Sequence, residues 1–254
     1  MDLEPIPDIP ALLMKSQRSW IIVADLHIGI EAQLRRAGFN IPSQTEKMFK
    51  TLEGLSSMAD GLIVLGDVKH KIPGVSYRED REIPPFIDRL LSSYRELIVV
   101  AGNHDGGLGA ILSEDVRAIP GNGTAIDEVG ICHGHVWPSK SAMAAQRLVM
   151  GHIHPSVLLT DSIGSRTNEK CWAKAKFEKK LVLERYEHCP EELVVVPAFN
   201  PLLTGTPVNG RRGAYLGPIF RNRLVDQKSM EVYLLDGSNL GHMPSPSVDR
   251  IASH

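Results

Sequence analysis

Apolar residues along this chain come in short runs that stop at polar ones. Ser19-Trp20-Ile21-Ile22-Val23-Ala24 is followed by Asp25, Gly61-Leu62-Ile63-Val64-Leu65 by Gly66-Asp67, and Leu97-Ile98-Val99-Val100-Ala101 by Gly102-Asn103. Runs of this length, rich in β-branched residues and lacking alternation, predict buried strands. Between the first two, Met48, Phe49, Leu52 and Leu55 recur at helical spacing, with Ser43 and Glu46 as a capping box ahead of them. Between the second and third, residues 70–84 mix His, Lys, Pro, Gly and charges and predict a loop. Residues 85–93 then predict a helix with Phe86, Ile87, Leu90 and Leu91 inward. Strand, helix, strand, helix, strand in that order implies parallel strands joined by helical crossovers.

The pattern shortens further along. Residues 116–120 and 125–132 predict strands, 139–148 a helix, and Val149-Met150 leads into Gly151-His152. Past Pro155, strands are expected at 157–160, 171–177, 193–196 and 231–235. No linker-like stretch or internal repeat interrupts the chain, which predicts a single domain over residues 1–254. The expected architecture is α/β, with two sheets face to face and helices outside. Residues 244–254 are expected to fray as a disordered tail.

With 254 residues, 43% of them apolar, the chain can bury a sizeable core. A net charge of −2 excludes a strongly basic nucleic-acid footprint over the whole surface, though not a local rim. Arg35, Arg36, Lys69, Lys71, Arg211 and Arg212 are the candidates for such a rim, or simply solvated charges. The three cysteines are odd in number and form no CxxC, which argues against a disulfide framework. The start lacks the basic and apolar regions of a signal peptide, and no apolar run approaches the roughly 20 residues that span a bilayer. A cytoplasmic protein without membrane association is expected.

The residues that end the runs carry the chemistry. Asp25 and His27 stand two apart at a strand end and can hold one ion, although an N-cap Asp and a surface His would look the same. Asp67 after Gly66 suits a turn, yet its two oxygens suit a bridge between cations. Asn103 offers a neutral oxygen to a cation. His104, beside the metals, can donate a proton to a leaving oxygen, and Asp105 can hold its other ring nitrogen; an ordinary Asn/Asp turn is the plainer reading. His133-Gly134-His135 and His152-Ile153-His154 both follow apolar runs, and with His27, His104 and His70 they bring seven of the ten histidines into or beside these motifs. Carboxylates, imidazoles and one amide make the donor set for two divalent cations bridged by a carboxylate.

DLH, GD, GNHD, HGH and GHIH, spread over about residues 20–155, resemble the calcineurin-like metallophosphoesterase superfamily. The stretch from Ala24 to Pro42, with LGDVKH, further resembles the archaeal SbcD/Mre-related phosphoesterases, and the bacterial DNA-ligase-associated phosphoesterases are cousins. Past residue 155 the match is carried by strand-rich character and Pro197-Ala198-Phe199-Asn200. The resemblance implies a four-layered α/β/β/α sandwich. It implies that Asp25, His27 and His154 hold one cation, that Asn103, His133 and His152 hold the other, and that Asp67 bridges. It makes His104 the general acid, oriented by Asp105, and His135 a second-sphere or substrate group. Val68-Lys69-His70 after GD departs from the superfamily, and Lys69 and His70 are candidates for contacting phosphate or for a solvated loop.

The implied cofactors are two divalent metal ions, Mn first, with Fe, Zn, Co or Ni compatible with mixed O/N donors. The implied partner is a phosphoester, a nucleotide or single-stranded nucleic acid being favoured, and a homodimer is compatible with the sequence. The expected activity is phosphodiester hydrolysis by activated water. The rivals are a phosphomonoesterase or pyrophosphatase on a small metabolite, and a scaffold that keeps the fold without catalysis. The filled ligand positions disfavour the scaffold.

Overall fold

The three apolar runs become the middle of one sheet. The computed structural model describes residues 2–161, 163–210, 216–226 and 229–242. Arg211, Arg212 and the tail at 244–254 lie outside the described residues. Strands β1 (Asp2–Pro5), β2 (Leu12–Lys15), β3 (Ser19–Val23), β4 (Gly61–Leu65), β5 (Glu96–Val100) and β6 (Arg117–Ile119) lie side by side in that order. From β3 to β6 they run parallel, with Ile22 beside Ile63 and Ile63 beside Ile98. The β1–β2 hairpin, which the apolar pattern does not announce, adds antiparallel to β3.

A second sheet holds β7 (Thr124–Ile126), β8 (Val129–Cys132), β9 (Arg147–Met150), β10 (Pro155–Thr160), β11 (Arg166–Lys176), β12 (Glu192–Val195) and β13 (Thr206–Pro207). Its order is β13-β10-β11-β12-β9-β8-β7, and β14 (Glu231–Leu234) pairs with both β11 and β15 (Asn239–His242). The described residues also hold six α-helices: α1 (Ile30–Arg36), α2 (Thr45–Leu55), α3 (Tyr77–Ser93), α4 (Lys140–Ala144), α5 (Lys179–Leu183) and α6 (Pro218–Arg221).

Side chains alternate across each strand, and both faces of each sheet are covered. Ile22, Ile63 and Ile98 face inward and meet Ile131, Val149, Trp172 and Val194 of the other sheet. Ile21, Val23, Leu62, Val64, Leu97 and Val99 face outward onto Met48, Phe49 and Leu52 of α2 and Ile83, Phe86 and Leu90 of α3. On the far side, Leu148, Met150, Leu193 and Val195 meet Met143 of α4, Val182 of α5 and Ile219 and Phe220 of α6. The layers are therefore α/β/β/α. Each such side chain contributes about 1.5–3 kcal/mol on full burial, which explains why the runs need no polar alternation.

Some boundaries differ from the sequence reading. Ser43 does not cap α2; its hydroxyl contacts Thr45 and Glu82, and Glu46 pairs with Arg89 across to α3. A capping box does form at Ser76 and Glu79, so α3 starts at Tyr77, within the expected loop. Pro84 and Pro85 sit inside that helix, where they deprive the carbonyls of Asp80 and Arg81 of partners; both residues are exposed, so water can serve. The helix expected over 139–148 ends at Ala144, because Arg147–Met150 is claimed as a strand by β8 on one side and β12 on the other. The expected strand at 125–132 is a hairpin, turning at Asp127 with φ 52°. Cys132 and Cys171 are buried thiols, and no helix among the described residues is long and apolar enough to cross a membrane.

Candidate metal centre

All five motifs lie just past strand ends, three on the first sheet and two on the second. Asp25 follows β3, Asp67 follows β4 and Asn103 follows β5, while His133 follows β8 and His152 and His154 join β9 to β10. Parallel strands put such loops at one edge, where ligands of open α/β sheets collect. The chain turns sharply there. Asp25, His27, Asp67, His152 and His154 all have positive φ, between 40° and 70°, a region that costs a non-glycine residue of order 1 kcal/mol or more. The loops hold one another in it. The Asp25 amide donates to Gly66 O at 3.1 Å and the His27 amide to Asp67 O at 2.8 Å. The His104 amide donates to Asp67 Oδ1 at 2.8 Å and the His152 amide to Asp25 Oδ2 at 3.1 Å. At Gly66 a Cβ would stand 2.4 Å from His133 Nδ1, so only glycine lets the two loops meet.

Two donor groups result, and they share one carboxylate. Asp25, His27, Asp67 and His154 bring ligand atoms within 4.8 Å of one another, and so do Asp67, His133 and His152. Asp67 Oδ2 lies 3.4 Å from His27 Nε2 and 3.5 Å from His133 Nε2. Asp25 Oδ1 lies 3.3 Å from His154 Nε2. Asn103 Oδ1 lies 3.2 Å from His133 Nε2, on the side of the second group.

The residues fit a pair of cations. His27 Nε2 is buried without a hydrogen-bond partner, which is costly unless a ligand takes its lone pair. The hydrogen bonds behind the rings assign their tautomers. Gln33 Oε1 accepts from His70 Nε2 at 2.7 Å, so His70 Nδ1 accepts from His27 Nδ1 at 3.1 Å, leaving a lone pair on His27 Nε2. His133 Nδ1 donates to Leu65 O at 2.7 Å and likewise leaves Nε2 facing Asp67. His27 and His70, with His104, also form a third close group, but the proton shared between His27 and His70 already satisfies it.

Charge in the cluster is balanced by imidazolium. Burial pushes the Asp25 carboxyl up, and the attraction of His154 and His133 outweighs it, holding the group below the usual carboxylate range. Asp67 is also held low, against its burial, by His133 and His27. Burial depresses His27 to about 3 and His152 to about 4, so both are neutral donors near pH 7. His133 is raised to about 9: burial opposes its charge, but Asp67 and Asp25 prevail; His154 is raised for the same reason by Asp25. Cation binding would displace the proton of His133.

The neighbouring motif residues take other positions than expected. His104 Nδ1 donates to the His70 carbonyl, so its Nε2 is the atom turned outward. Asp105 does not hold that ring. Its oxygens accept from the Gly102 amide at 2.8 Å and the Lys69 amide at 3.2 Å, which fixes the loop and not the imidazole. Lys69 is fully buried and its Nζ donates to Lys71 O, so it is not presented to a phosphate. His70 is engaged by Gln33 and His27 and serves to orient His27. His135 packs its ring 5.1 Å from His133 and 6.0 Å from His152, beside the second group. Gln33, Glu79 and Lys170 were not singled out from the sequence; each acts through backbone or ring contacts that no motif spacing reveals. Glu79 accepts from the His70 amide at 3.0 Å and the Lys71 amide at 2.6 Å, tying α3 to the loop after Asp67.

A family model described as calcineurin-like phosphoesterase matches residues 20–202. Among solved structures, the Pseudomonas putida nuclease MPE is 17% identical with a TM-score of 0.55, over 92% of this chain and 98% of the nuclease. Yfce, a phosphoesterase from E. coli, is 16% identical with a TM-score of 0.37, over 89% of this chain and 99% of that one. No curated protein matches the chain. At such identity, the likeness to the nuclease speaks for the fold alone.

Proposed function

The chain belongs to the calcineurin-like phosphoesterase family of dinuclear metal-dependent phosphoric ester hydrolases, and on that premise we propose that it is a phosphodiesterase acting on nucleotide or nucleic-acid phosphodiester bonds. One observation supports two ions at this site above the rest: Asp67 Oδ2 stands within 3.5 Å of imidazole nitrogens from both donor groups. Asp25, His27 and His154 would hold one cation and Asn103, His133 and His152 the other, with Asp67 between. The ions, Mn²⁺ by preference, supply Lewis acidity and a water of lowered pKa when bound.

The chain's own residues do the remainder. Asp67 and Asp25 keep the anionic side of the site in place, and the loops hold it without reorganisation. Water attacks phosphorus in line with the leaving oxygen. His104, held through Nδ1 by the His70 carbonyl, presents Nε2 to that oxygen and gives it a proton. The proton lost by the attacking water passes to solvent. No covalent enzyme intermediate is required.

The preference for a diester rests on charge. Lys69 is turned away, so the motifs offer imidazoles and an amide to the phosphoryl group. A diester monoanion suits such a lining better than a monoester dianion. The protein would act as one domain, since residues of both sheets are needed. Chelator-treated protein reloaded with single metals and given bis-p-nitrophenyl phosphate or p-nitrophenyl phosphate tests this. The diester should turn over faster; a preference for the monoester would overturn the reading in favour of a small-metabolite phosphatase.

A further inference from the structure

The loop Ala24-Asp25-Leu26-His27 is held from outside by a segment more than 170 residues later. The Phe199 amide donates to Ala24 O at 2.8 Å and the Asn200 amide to Asp25 O at 3.4 Å. Asn200 Nδ2 donates to Leu26 O at 2.7 Å and reaches His27 O at 3.4 Å. Four consecutive carbonyls are thus taken by two residues, and Asn200 is fully buried. That segment is in turn held by one side chain. Lys170, on β11 of the second sheet, donates through Nζ to Ala198 O and to Asn200 O, each at 2.6 Å.

We propose that Lys170 is a positioning residue for the first cation site: its ammonium clamps Ala198 and Asn200 so that Asn200 keeps Asp25 and His27 in their left-handed backbone conformation. The proposal rests on the metal reading given above. The geometry has a physical logic. Asp25 and His27 have φ of 59° and 40°, which the local chain does not favour. A strand bonded to β10, β12 and β14 is a rigid anchor. A neutral side chain in place of Lys170 would leave the carbonyl of Ala198, 1% exposed, without that donor, and the carbonyl of Asn200 with the Leu203 amide at 3.2 Å. The charge also stands within electrostatic reach of Asp25, the carboxylate it helps to place. Partners of this kind typically change metal affinity about 10–100-fold.

A cavity of about 650 Å³ supplies the test, because Lys170, Phe199 and Met48 line it and small molecules can enter. Mn²⁺ uptake is measured by competition with a chelating indicator for the parent, Lys170→Met, Lys170→Arg, Lys170→Ala and, as a control on the same strand, Lys176→Met. Thermal melting of the chelated proteins is followed in parallel. The parent and Lys176→Met should take up two equivalents. Lys170→Met should bind one of them about tenfold or more weakly, with Lys170→Arg closer to the parent. Lys170→Ala should regain affinity in millimolar ethylammonium but not in tetramethylammonium, which has no N–H to donate. A merely structural lysine would not respond to that amine. Parent affinity in Lys170→Met, or no rescue of Lys170→Ala by ethylammonium, overturns the positioning role alone. A parent that takes up no Mn²⁺ overturns the metal reading, and the positioning role with it.

Discussion

The two sheets bring different chemistry to their shared edge. The first contributes both buried carboxylates, Asp25 and Asp67, and the amide of Asn103; its one donor imidazole is His27. The second contributes imidazoles only, from His133, His152 and His154. The close contacts at the centre therefore run from one sheet's anions to the other's rings: Asp67 to His133 at 3.5 Å, and Asp25 to His154 at 3.3 Å. Neither sheet alone assembles a complete donor group. The site is a joint, and a cation bound there ties the two layers together as well as supplying chemistry.

Asp67 is where that contrast breaks most severely, because it faces both groups. Asp67→Ala should abolish paired metal uptake, read as metal equivalents per chain after dialysis, and cost more activity than any other single change at the site. His104 belongs to neither donor group, and its backbone bond to Asp67 survives in His104→Ala. That variant should keep both equivalents and lower kcat by about 10²–10⁴-fold; a variant of normal rate would remove His104 from its role. Metal removal tests the joint itself. At free metal 100 times the dissociation constant, loaded protein should be more stable than chelated protein by about 2.7 kcal/mol per ion, seen in denaturant midpoints. Equal midpoints would mean that the ions do not tie the sheets.

The smallest change expected lies on the first sheet's side only. Glu79 is 1% exposed and accepts backbone hydrogen bonds from His70, Lys71 and Ser76. Glu79→Gln should cost roughly 1–3 kcal/mol near pH 7. Burial raises the Glu79 carboxyl, but those bonds prevail and hold it below its ordinary 4.5. The stability it contributes is thus present above pH 4.5 and lost as pH falls through the lower folded value. The gap between parent and variant should close in acid; a gap independent of pH would contradict the assignment.

Much of this was legible along the chain. Three apolar runs with polar ends sufficed for a parallel sheet, since burial on both faces removes alternation and crossovers place successive loops at one edge. The residues that cluster were readable for the same reason: polar groups that end buried strands have one place to go. Boundaries were less legible. Ser43-x-x-Glu46 and Ser76-x-x-Glu79 are the same local signal, and only packing of Glu46 against Arg89 and of Glu79 against the His70 loop separates them.

What the sequence by itself determined was the order of layers and the set of side chains carried to the edge, because both follow from hydrophobic period and strand direction, which are local. What only the tertiary structure decided was how each of those groups is used. Lys69 and Asp105 sit within the motifs yet face the backbone, and the two ring nitrogens of His70 are taken by His27 and Gln33. Lys170 lies in a strand with no motif, yet bonds Ala198 and Asn200, the segment that holds the loop of Asp25. Hydrogen-bond partners are chosen by distance in space, and the contact from Asn200 to Leu26 spans 174 positions of chain that no local pattern encodes.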